Sequence, residues 1–327
     1  MMALTKNQAL EPAKQPSSIG MPLLHKVIFL VLLAFLLVLP FMVYPVFAMK
    51  VMCFALFAAA FNLLLGFGGL LSFGHAAYFG GASYIAAQAA KVWGFTPELA
   101  VLSGTLAAAV LGLVIGALSI RRQGIYFAMV TLAFAQMVYF FALQSDFTGG
   151  EDGIQSVPRG DLFGLVSLQD NISLYFFVLV ITFGGILMLY RIVHSPFGQV
   201  LKAIRENEPR AISLGYQVNR YKLMVFTLSA TFAGLAGATK SQVFQLASLT
   251  DVHWSMSGEV VLMTLLGGMG TIFGPLVGAA FIVSMQNYLA TFGAWVTIIQ
   301  GFAFVIGVLL FREGIIGVIA RIIKRPL

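Results

Sequence analysis

The stretch GFGGLLSFGHAAYFGG, residues 66–81, interrupts an apolar run of the kind that forms membrane helices. It contains six glycines, a serine and a histidine, which a lipid-facing helix has little reason to hold. A glycine-rich break frees backbone N–H and C=O groups, and hydrocarbon tolerates such groups only where protein or a water-filled cavity satisfies them. The stretch therefore predicts a broken helix in the interior of a membrane bundle.

A second break, GGMGTIFGP (267–275), has the same character, and Pro275 suits the first turn of a new helix. In the first break, Ser72 is expected to cap a helix that begins near Phe73. The N-terminus of that helix would then point its partial positive charge inwards, where a solute carboxylate would be stabilised.

The composition excludes an ordinary soluble domain. Of the 327 residues, 60% are hydrophobic and 9% are charged, and the mean hydropathy is +0.95. Soluble proteins average about 25% charged residues, so this chain is built to face lipid. The net charge of +7 follows from basic residues that the membrane topology places in the cytoplasm, so no nucleic-acid partner is predicted.

Ten apolar segments follow residues 1–26, which we interpret as a polar N-terminal tail. They lie at about 27–49, 51–66, 75–90, 98–118, 124–143, 172–190, 223–240, 258–268, 275–292 and 294–311. Several are shorter than the roughly 20 residues of a full span, so tilted, broken or re-entrant helices are expected. We predict an all-α integral membrane protein with about ten transmembrane or part-spanning helices over 27–311 and a C-terminal tail over 312–327. Retention of the first segment is favoured over cleavage as a signal peptide.

The basic residues give an independent topology. With the N-terminus inside, ten crossings leave all but four of the 19 lysines and arginines in the cytoplasm, as the positive-inside rule requires. The exceptions are Lys50, Lys91, Arg159 and Lys240. Acidic residues cluster in the loop 144–171, which this topology places outside. Both termini are then cytoplasmic.

Five crossings precede the acidic loop and five follow it. An inverted five-helix repeat with a central solute site, as in many transporters, therefore remains open.

Isolated polar side chains at membrane depth are the candidates for lining a solute pathway. We single out Asn62, Ser72, His75, Gln136 and Glu259. Structural alternatives remain for two of them, since His75 would also cap its own helix and Glu259 would also suit the outer interface. A self-sufficient, ion-coupled carrier that uses His75 or Glu259 as its proton site is the alternative from a different class. No metal site and no cofactor are predicted.

The loop 191–222 is the most charged stretch of the chain. Ser195 and Pro196 form a helix-start signal, and Pro209 restarts the chain after a first helix, so two short helices ending near Gly215 are expected. Docking on a partner is favoured over a merely solvated loop by six apolar positions: Val200, Leu201, Ile204, Ala211, Ile212 and Leu214. No G-x-x-x-x-G-K-[ST] phosphate loop occurs in the sequence, so another chain would hydrolyse any ATP that drives this protein.

Four blocks resemble the LivM-like permease subunits of ABC importers for branched-chain amino acids. They are NLLLGFGGLLSFGHAAYFGGASY (62–84), TGGEDGI (148–154), HSPFGQVLKAIRENEPRAISLGYQVNRYK (194–222) and LLGGMGTIFGPLVGA (265–279). The resemblance implies a bacterial inner-membrane permease that works by alternating access. It also implies as partners a LivH-like second permease, two ATP-binding cassette subunits, a periplasmic substrate-binding protein and membrane lipid.

The resemblance also assigns a role to the cytoplasmic loop, through which importer permeases dock on their ATPases. Ala211 and Gly215 match the A-x-x-x-G core of that loop, and we add Arg205, Glu206 and Glu208 as coupling residues. Many relatives carry Gln where this chain has Leu70, and the terminal LFREGIIG (310–317) lacks a proline that is often present. Relatives of the family import urea, short amides or aromatic acids, so these solutes remain alternatives to branched-chain amino acids.

Overall fold

The structure, a computed structural model, describes residues 23–293, 295–310 and 314–323 of the chain. The predicted all-α architecture is confirmed. The helices are α1 (Leu23–Met42), α2 (Pro45–Asn62), α3 (His75–Lys91), α4 (Pro97–Ser119), α5 (Ile125–Gln144), α6 (Asn171–His194), α7 (Pro196–Glu206), α8 (Glu208–Ser213), α9 (Val218–Phe244), α10 (Leu249–Val252), α11 (Trp254–Gly267), α12 (Gly274–Tyr288), α13 (Trp295–Leu310) and α14 (Gly314–Ile323).

Strands are minor elements of the described chain. There are four strands of two residues each: β1 (Ile154–Gln155), β2 (Asp161–Leu162), β3 (Val166–Ser167) and β4 (Leu246–Ala247). β1 pairs with β4 and β2 with β3, both antiparallel. The first pair ties the long acidic loop to the segment that follows α9.

Six of the described helices are long and apolar enough to cross a membrane: α1, α2, α4, α5, α6 and α9. Within this set, α2 extends to Phe67 through a π-helical turn, Leu63–Phe67. α3, α11, α12 and α13 are apolar but have only 14 to 17 residues. At about 1.5 Å per residue they fall short of the roughly 30 Å hydrocarbon layer, as the short sequence segments predict.

Two boundaries differ from the sequence expectation. The first segment was expected at 27–49, but α1 already ends at Met42 and α2 begins at Pro45, where proline occupies the first turn. Lys50 therefore lies inside α2 instead of in a loop. At the other end, part of the expected tail 312–327 forms α14, while residues 1–22, 311–313 and 324–327 lie outside the described residues.

The bundle has two ends that differ in charge. One face of the bundle carries residues 145–170 and 245–253, which the β1–β4 pair joins, and we call this face the acidic end. The end of α3 lies there too, because Lys91 Nζ donates to the Gln155 carbonyl at 2.7 Å. We call basic end the opposite face, which carries residues 68–74, 195–217 and 268–273. Arg205 of α7 bonds to Gly66 there, and Gly314 of α14 lies against Gly268.

The centre of the bundle is α2, with α3 and α9 packed against it. In the most apolar window of α2, 83% of the residues are buried, against 17% in α1 and 28% in α5. α1 and α5 therefore present apolar side chains outwards. Small residues permit close approach of the inner helices, as is usual in membranes. A Cβ on Gly112 of α4 would collide with Ala230 of α9, and one on Gly278 of α12 would collide with the Met263 carbonyl of α11.

Packing in the second half mirrors packing in the first. α4 packs on α9 as α12 packs on α2, and α3 lies against α4 as α11 lies against α12. The reversal between α2 and α3 lies at the basic end, while the reversal between α9 and α11 lies at the acidic end. This arrangement supports an inverted relationship between the two halves.

Candidate functional site

The two helix breaks meet at the side chain of Asn62. Asn62 Nδ2 donates to the Thr271 carbonyl at 2.8 Å, and its Oδ1 accepts from the Gly270 N–H at 2.9 Å. The residue is 2% exposed, so it satisfies backbone groups that hydrocarbon would leave unpaired. A Cβ on Gly66 would meet the Gly270 nitrogen at 2.7 Å, so the approach of the breaks also requires glycine there.

Helix α7 of the basic loop lies on the same junction. Arg205 Nη1 donates to the Gly66 carbonyl, one of the carbonyls that the end of α2 leaves without a helical partner. A cavity of about 430 Å³ lies between α7 and the breaks. It is lined by Phe67, Lys202, Arg205, Glu206 and Gly270.

The basic loop has the two short helices that the sequence predicts. Ser195 Oγ accepts from the Gly198 N–H at 3.4 Å at the start of α7, and Asn207 Oδ1 accepts from the Arg210 N–H at 3.0 Å at the start of α8. Both are N-cap contacts, and a proline stands in the first turn of each helix.

Four other residues of this loop that were predicted to couple occupy different kinds of position. Glu208 forms an ion pair with Lys222 of α9 at 2.8 Å, which ties α8 to the bundle. Ala211 is 3% exposed and packs with Ile204 and Val218. Gly215 has a φ of +87°, which favours glycine, and ends the turn after α8 in open space. Glu206 is exposed at the mouth of the cavity.

Next to Gly215, the tip of the loop exposes apolar side chains. Ile212 is 57%, Leu214 68% and Tyr216 40% exposed. Since this end of the bundle is otherwise rich in charge, an apolar tip on a capped, ion-paired loop is a surface suited to a protein partner.

The helix after the first break begins at His75, later than expected, and three N–H groups around its start donate to neighbouring hydroxyls. Thr131 Oγ1 accepts from the Phe73 N–H, Ser72 Oγ from the Gly74 N–H and Ser257 Oγ from the Ala76 N–H, at 2.9 to 3.2 Å. Ser72 is fully buried. The expected carboxylate site at this terminus is therefore not open, because these three donors are already engaged.

His75 is also fully buried. Its Nε2 lies 2.8 Å from Ser229 Oγ, and Ser229 donates to the Ala60 carbonyl at 2.6 Å. The ring stands edge-on to Phe61, with centroids 4.8 Å apart, while Nδ1 has no hydrogen-bond partner in the part of the chain that the structure describes. A solute would reach His75 only after the helices around it move.

The other two candidates lie apart from this junction. Gln136 is half-buried on α5. Glu259 is half-buried on α11, where its Oε2 accepts from Gln286 Nε2 of α12 at 3.0 Å. The structure thus brings Asn62 and Arg205 together at the basic end and leaves Glu259 nearer the acidic end.

Sequence reasoning missed a buried ion pair between Lys240 of α9 and Asp251 of α10. Asp251 is 2% exposed, and the Lys240 ammonium also lies 5.6 Å from the ring centroid of Phe244. The positive-inside rule offered a signal, because Lys240 is one of the four basic residues that the predicted topology leaves outside the cytoplasm. Its place at the end of the apolar segment 223–240 concealed that it needs a partner.

Among the residues that the structure describes, no group of three or more His, Cys, Asp or Glu side chains could hold a metal ion. At the junction, hydrogen bonds connect a surface loop, through Arg205 and Asn62, to the backbone of both broken helices. A displacement of the loop would move both breaks.

A multi-pass helical bundle with buried breaks linked to a structured loop at one end is the architecture of a membrane transport protein. The chain belongs to the family described as the permease component of branched-chain amino acid transport systems, whose profile matches residues 45–311. It is thus a LivM-like permease of the ABC transporter class, as the sequence resemblance predicts.

Individual relatives agree with this assignment. The chain is 29% identical over 223 residues to the high-affinity branched-chain amino acid transport system permease protein LivM of Salmonella typhimurium and 30% identical over 223 residues to that of Escherichia coli. Each match covers 61% of this chain and 52% of the relative. The ribose import permease protein RbsC of Bacillus subtilis is 30% identical over 173 residues, covering 50% of this chain and 51% of the relative.

These matches span about half the length of the curated relatives. No solved structure matches the chain.

Proposed function

We propose that this chain is the non-hydrolytic membrane subunit of an ATP-driven importer in the bacterial inner membrane. It would form the translocation pathway by alternating access together with a LivH-like second permease. Two ATP-binding cassette subunits would drive the conformational change by hydrolysing ATP, and a periplasmic binding protein would deliver the solute.

The observation that carries the proposal is the path of bonded contacts from the loop to the breaks. The loop presents an apolar tip, Ile212 to Tyr216, to a partner. Behind the tip, Arg205 is bonded to the first break, and Asn62 bonds the first break to the second. A push on the tip by an ATPase subunit would therefore reach both breaks through hydrogen bonds and packed helices.

The charge distribution supports one orientation of the proposed importer subunit in the membrane. The basic end carries the loop that would meet the ATPases, and the positive-inside rule places it in the cytoplasm. The acidic end, with Asp146, Glu151, Asp152 and Asp161 exposed, would then face the periplasmic binding protein.

Branched-chain amino acids are the solutes that we propose. The proposal follows the names of the LivM relatives. Other relatives are named for ribose import and autoinducer 2 import, so membership of the wider group does not by itself select a solute. Urea, short amides and aromatic acids are the further alternatives to test in the same assay.

Reconstitution tests the proposal. The chain is placed in proteoliposomes with and without its partner subunits, and uptake of radiolabelled leucine is measured with and without ATP. We expect uptake only with the complete set and ATP. Uptake by this chain alone, driven by a proton or sodium gradient, would overturn the proposal in favour of an ion-coupled carrier.

A further inference from the structure

Four ionisable side chains from four helices lie together towards the acidic end of the bundle. Lys240 of α9 and Asp251 of α10 form an ion pair, and their side chains are only 12% and 2% exposed. Lys50 of α2 lies within electrostatic reach of Lys240, Asp251 and Glu259 of α11. We call these four residues the mixed-charge cluster.

Helix geometry places Lys50 and Glu259 on neighbouring helices. Thr264 of α11 donates to the Ala58 carbonyl of α2 at 3.4 Å, and both helices run from the acidic end towards the basic end. Counting back from that contact, Glu259 lies five residues and Lys50 eight residues nearer the acidic end, or about 7.5 and 12 Å. Both side chains are half-buried, and the two helices pack against each other.

The cluster has binding capacity that the protein itself does not use. Asp251 Oδ2 is buried and has no hydrogen-bond partner among the described residues, although Oδ1 is paired with Lys240. An unpaired oxygen of a buried carboxylate is costly unless something else contacts it. The cluster therefore has an acceptor that a further donor would satisfy.

Lipid is excluded as the neighbour of the half-buried members. Ionisable groups at membrane depth face a bundle interior or a water-filled cavity. The lipid side of this protein is instead apolar, as on α4, where Leu102 and Leu106 are 53% and 57% exposed. By this rule Lys50 and Glu259 would face the bundle interior or a water-filled chamber between helices.

The signs of the charges select a ligand class. The charges of two ammonium groups and two carboxylates cancel. The chamber would therefore repel neither anions nor cations and would offer each of them a group of opposite charge. A small solute with one positive and one negative group fits such a chamber better than an anion, a cation or an uncharged sugar.

We propose that Lys50 and Glu259, backed by the Lys240–Asp251 pair, form a solute-binding site in which a zwitterion's carboxylate meets Lys50 and its ammonium meets Glu259. This site rests on the proposed import function. It lies apart from the junction of the breaks, so the solute would be held near the acidic end while the loop acts from the basic end.

Cysteine accessibility tests the chamber in the complete transporter. The single native cysteine, Cys53, is 1% exposed and gives little background. Lys50→Cys and Glu259→Cys, in the full complex in nanodiscs, are treated with a charged, membrane-impermeant methanethiosulfonate; Leu106→Cys on the lipid face is the control. We expect both cluster variants to react and the control not to react. Absence of reaction at both positions, with and without ATP and vanadate, would overturn the proposal.

Charge neutralisation tests the ligand class. Glu259→Gln and Lys50→Gln are compared with Lys26→Gln, an exposed lysine at the start of α1. At subsaturating leucine we expect each cluster variant to lower ATP-dependent uptake about tenfold and the control to change it little. Assembly is checked by size-exclusion chromatography.

The two proposals fail differently in this assay. If the unmodified complex transports leucine with ATP but the cluster variants transport it equally well, only the zwitterion site is wrong. If the unmodified complex shows no ATP-dependent uptake of any solute, the import function itself fails.

Discussion

Arg205, on the basic loop, donates a hydrogen bond to the carbonyl oxygen of Gly66, in the π-helical turn that ends the second membrane helix. π-helical turns often lie at functional sites, because they leave the local backbone poorly paired. Here the unpaired carbonyl is the point of attachment for a side chain from the loop. A displacement of the loop would therefore act on the first break through this bond.

We expect Arg205→Gln to uncouple the transporter. The shorter, neutral side chain cannot hold the Gly66 carbonyl, so movement of α7 would no longer reach the break. Uptake should fall several-fold while the complex continues to hydrolyse ATP. Parallel uptake and ATPase assays in proteoliposomes measure this, with Arg121→Gln, an exposed arginine at the same end, as the control. A proportionate loss of both activities would contradict a coupling role.

Asn62→Leu should destabilise the folded protein. The substitution leaves the Gly270 N–H and the Thr271 carbonyl without their partner in a buried place. Each unsatisfied buried group costs about 1–3 kcal/mol. Thermal unfolding in detergent should show the loss. Asn287→Leu, the same change at an exposed position of α12, should leave the midpoint of thermal unfolding almost unchanged. Equal midpoints for the two variants would show that the bonds of Asn62 do not stabilise the fold.

Leu214→Glu should abolish binding of the ATPase subunit without harming the fold. Leu214 is 68% exposed, so a glutamate there stays solvated, but it would place a charge in an apolar contact. Co-purification of the ATPase subunit measures the effect. Leu165→Glu, at an 88% exposed position of the acidic end, is the matched control. Normal co-purification of the ATPase subunit with the Leu214 variant would show that the docking surface lies elsewhere.

His75→Leu should impair transport more than assembly. Ser229 keeps its bond to the Ala60 carbonyl when the imidazole is removed, and leucine fills much of the space against Phe61. Uptake and complex yield are measured side by side. Near-normal uptake would leave His75 with a packing role alone.

The sequence was sufficient for the architecture but not for its contacts. Apolar segments and the basic residues predicted ten helices and the capped loop, because helix length and charge sorting are local properties. The bonds of Asn62 to Gly270 and Thr271 join residues more than 200 positions apart, and no local pattern reveals them. Lys50 was misplaced because the apolar run 27–49 hides the turn before Pro45. Lys240 ends the predicted segment 223–240 and Asp251 lies between two predicted segments, so only the structure reveals their ion pair.

Arg159 supplies the last prediction, at the acidic end. Its guanidinium donates to the carbonyls of Gln242 and Val243, at 3.4 and 2.6 Å, and to Asn171 Oδ1 at 3.0 Å, so one side chain joins the end of α9 to the start of α6. A cation at a helix C-terminus is favourable, and bonds from a charged donor are the stronger ones.

Arg159→Ala should therefore lower the thermal midpoint by several degrees and make the loop 145–170 more sensitive to protease, with Arg159→Lys intermediate because lysine lacks the planar fork. Burial lowers the pKa of Arg159. A cation whose pKa is lower in the folded state adds stability only as the pH rises through that lowered pKa, and an arginine stays protonated far above neutrality. The difference from the unmodified protein should consequently be the same at pH 6 and pH 8. Arg191→Ala, at an exposed position in the last turn of α6, is the control, and a midpoint difference that changes between these pH values would refute the argument.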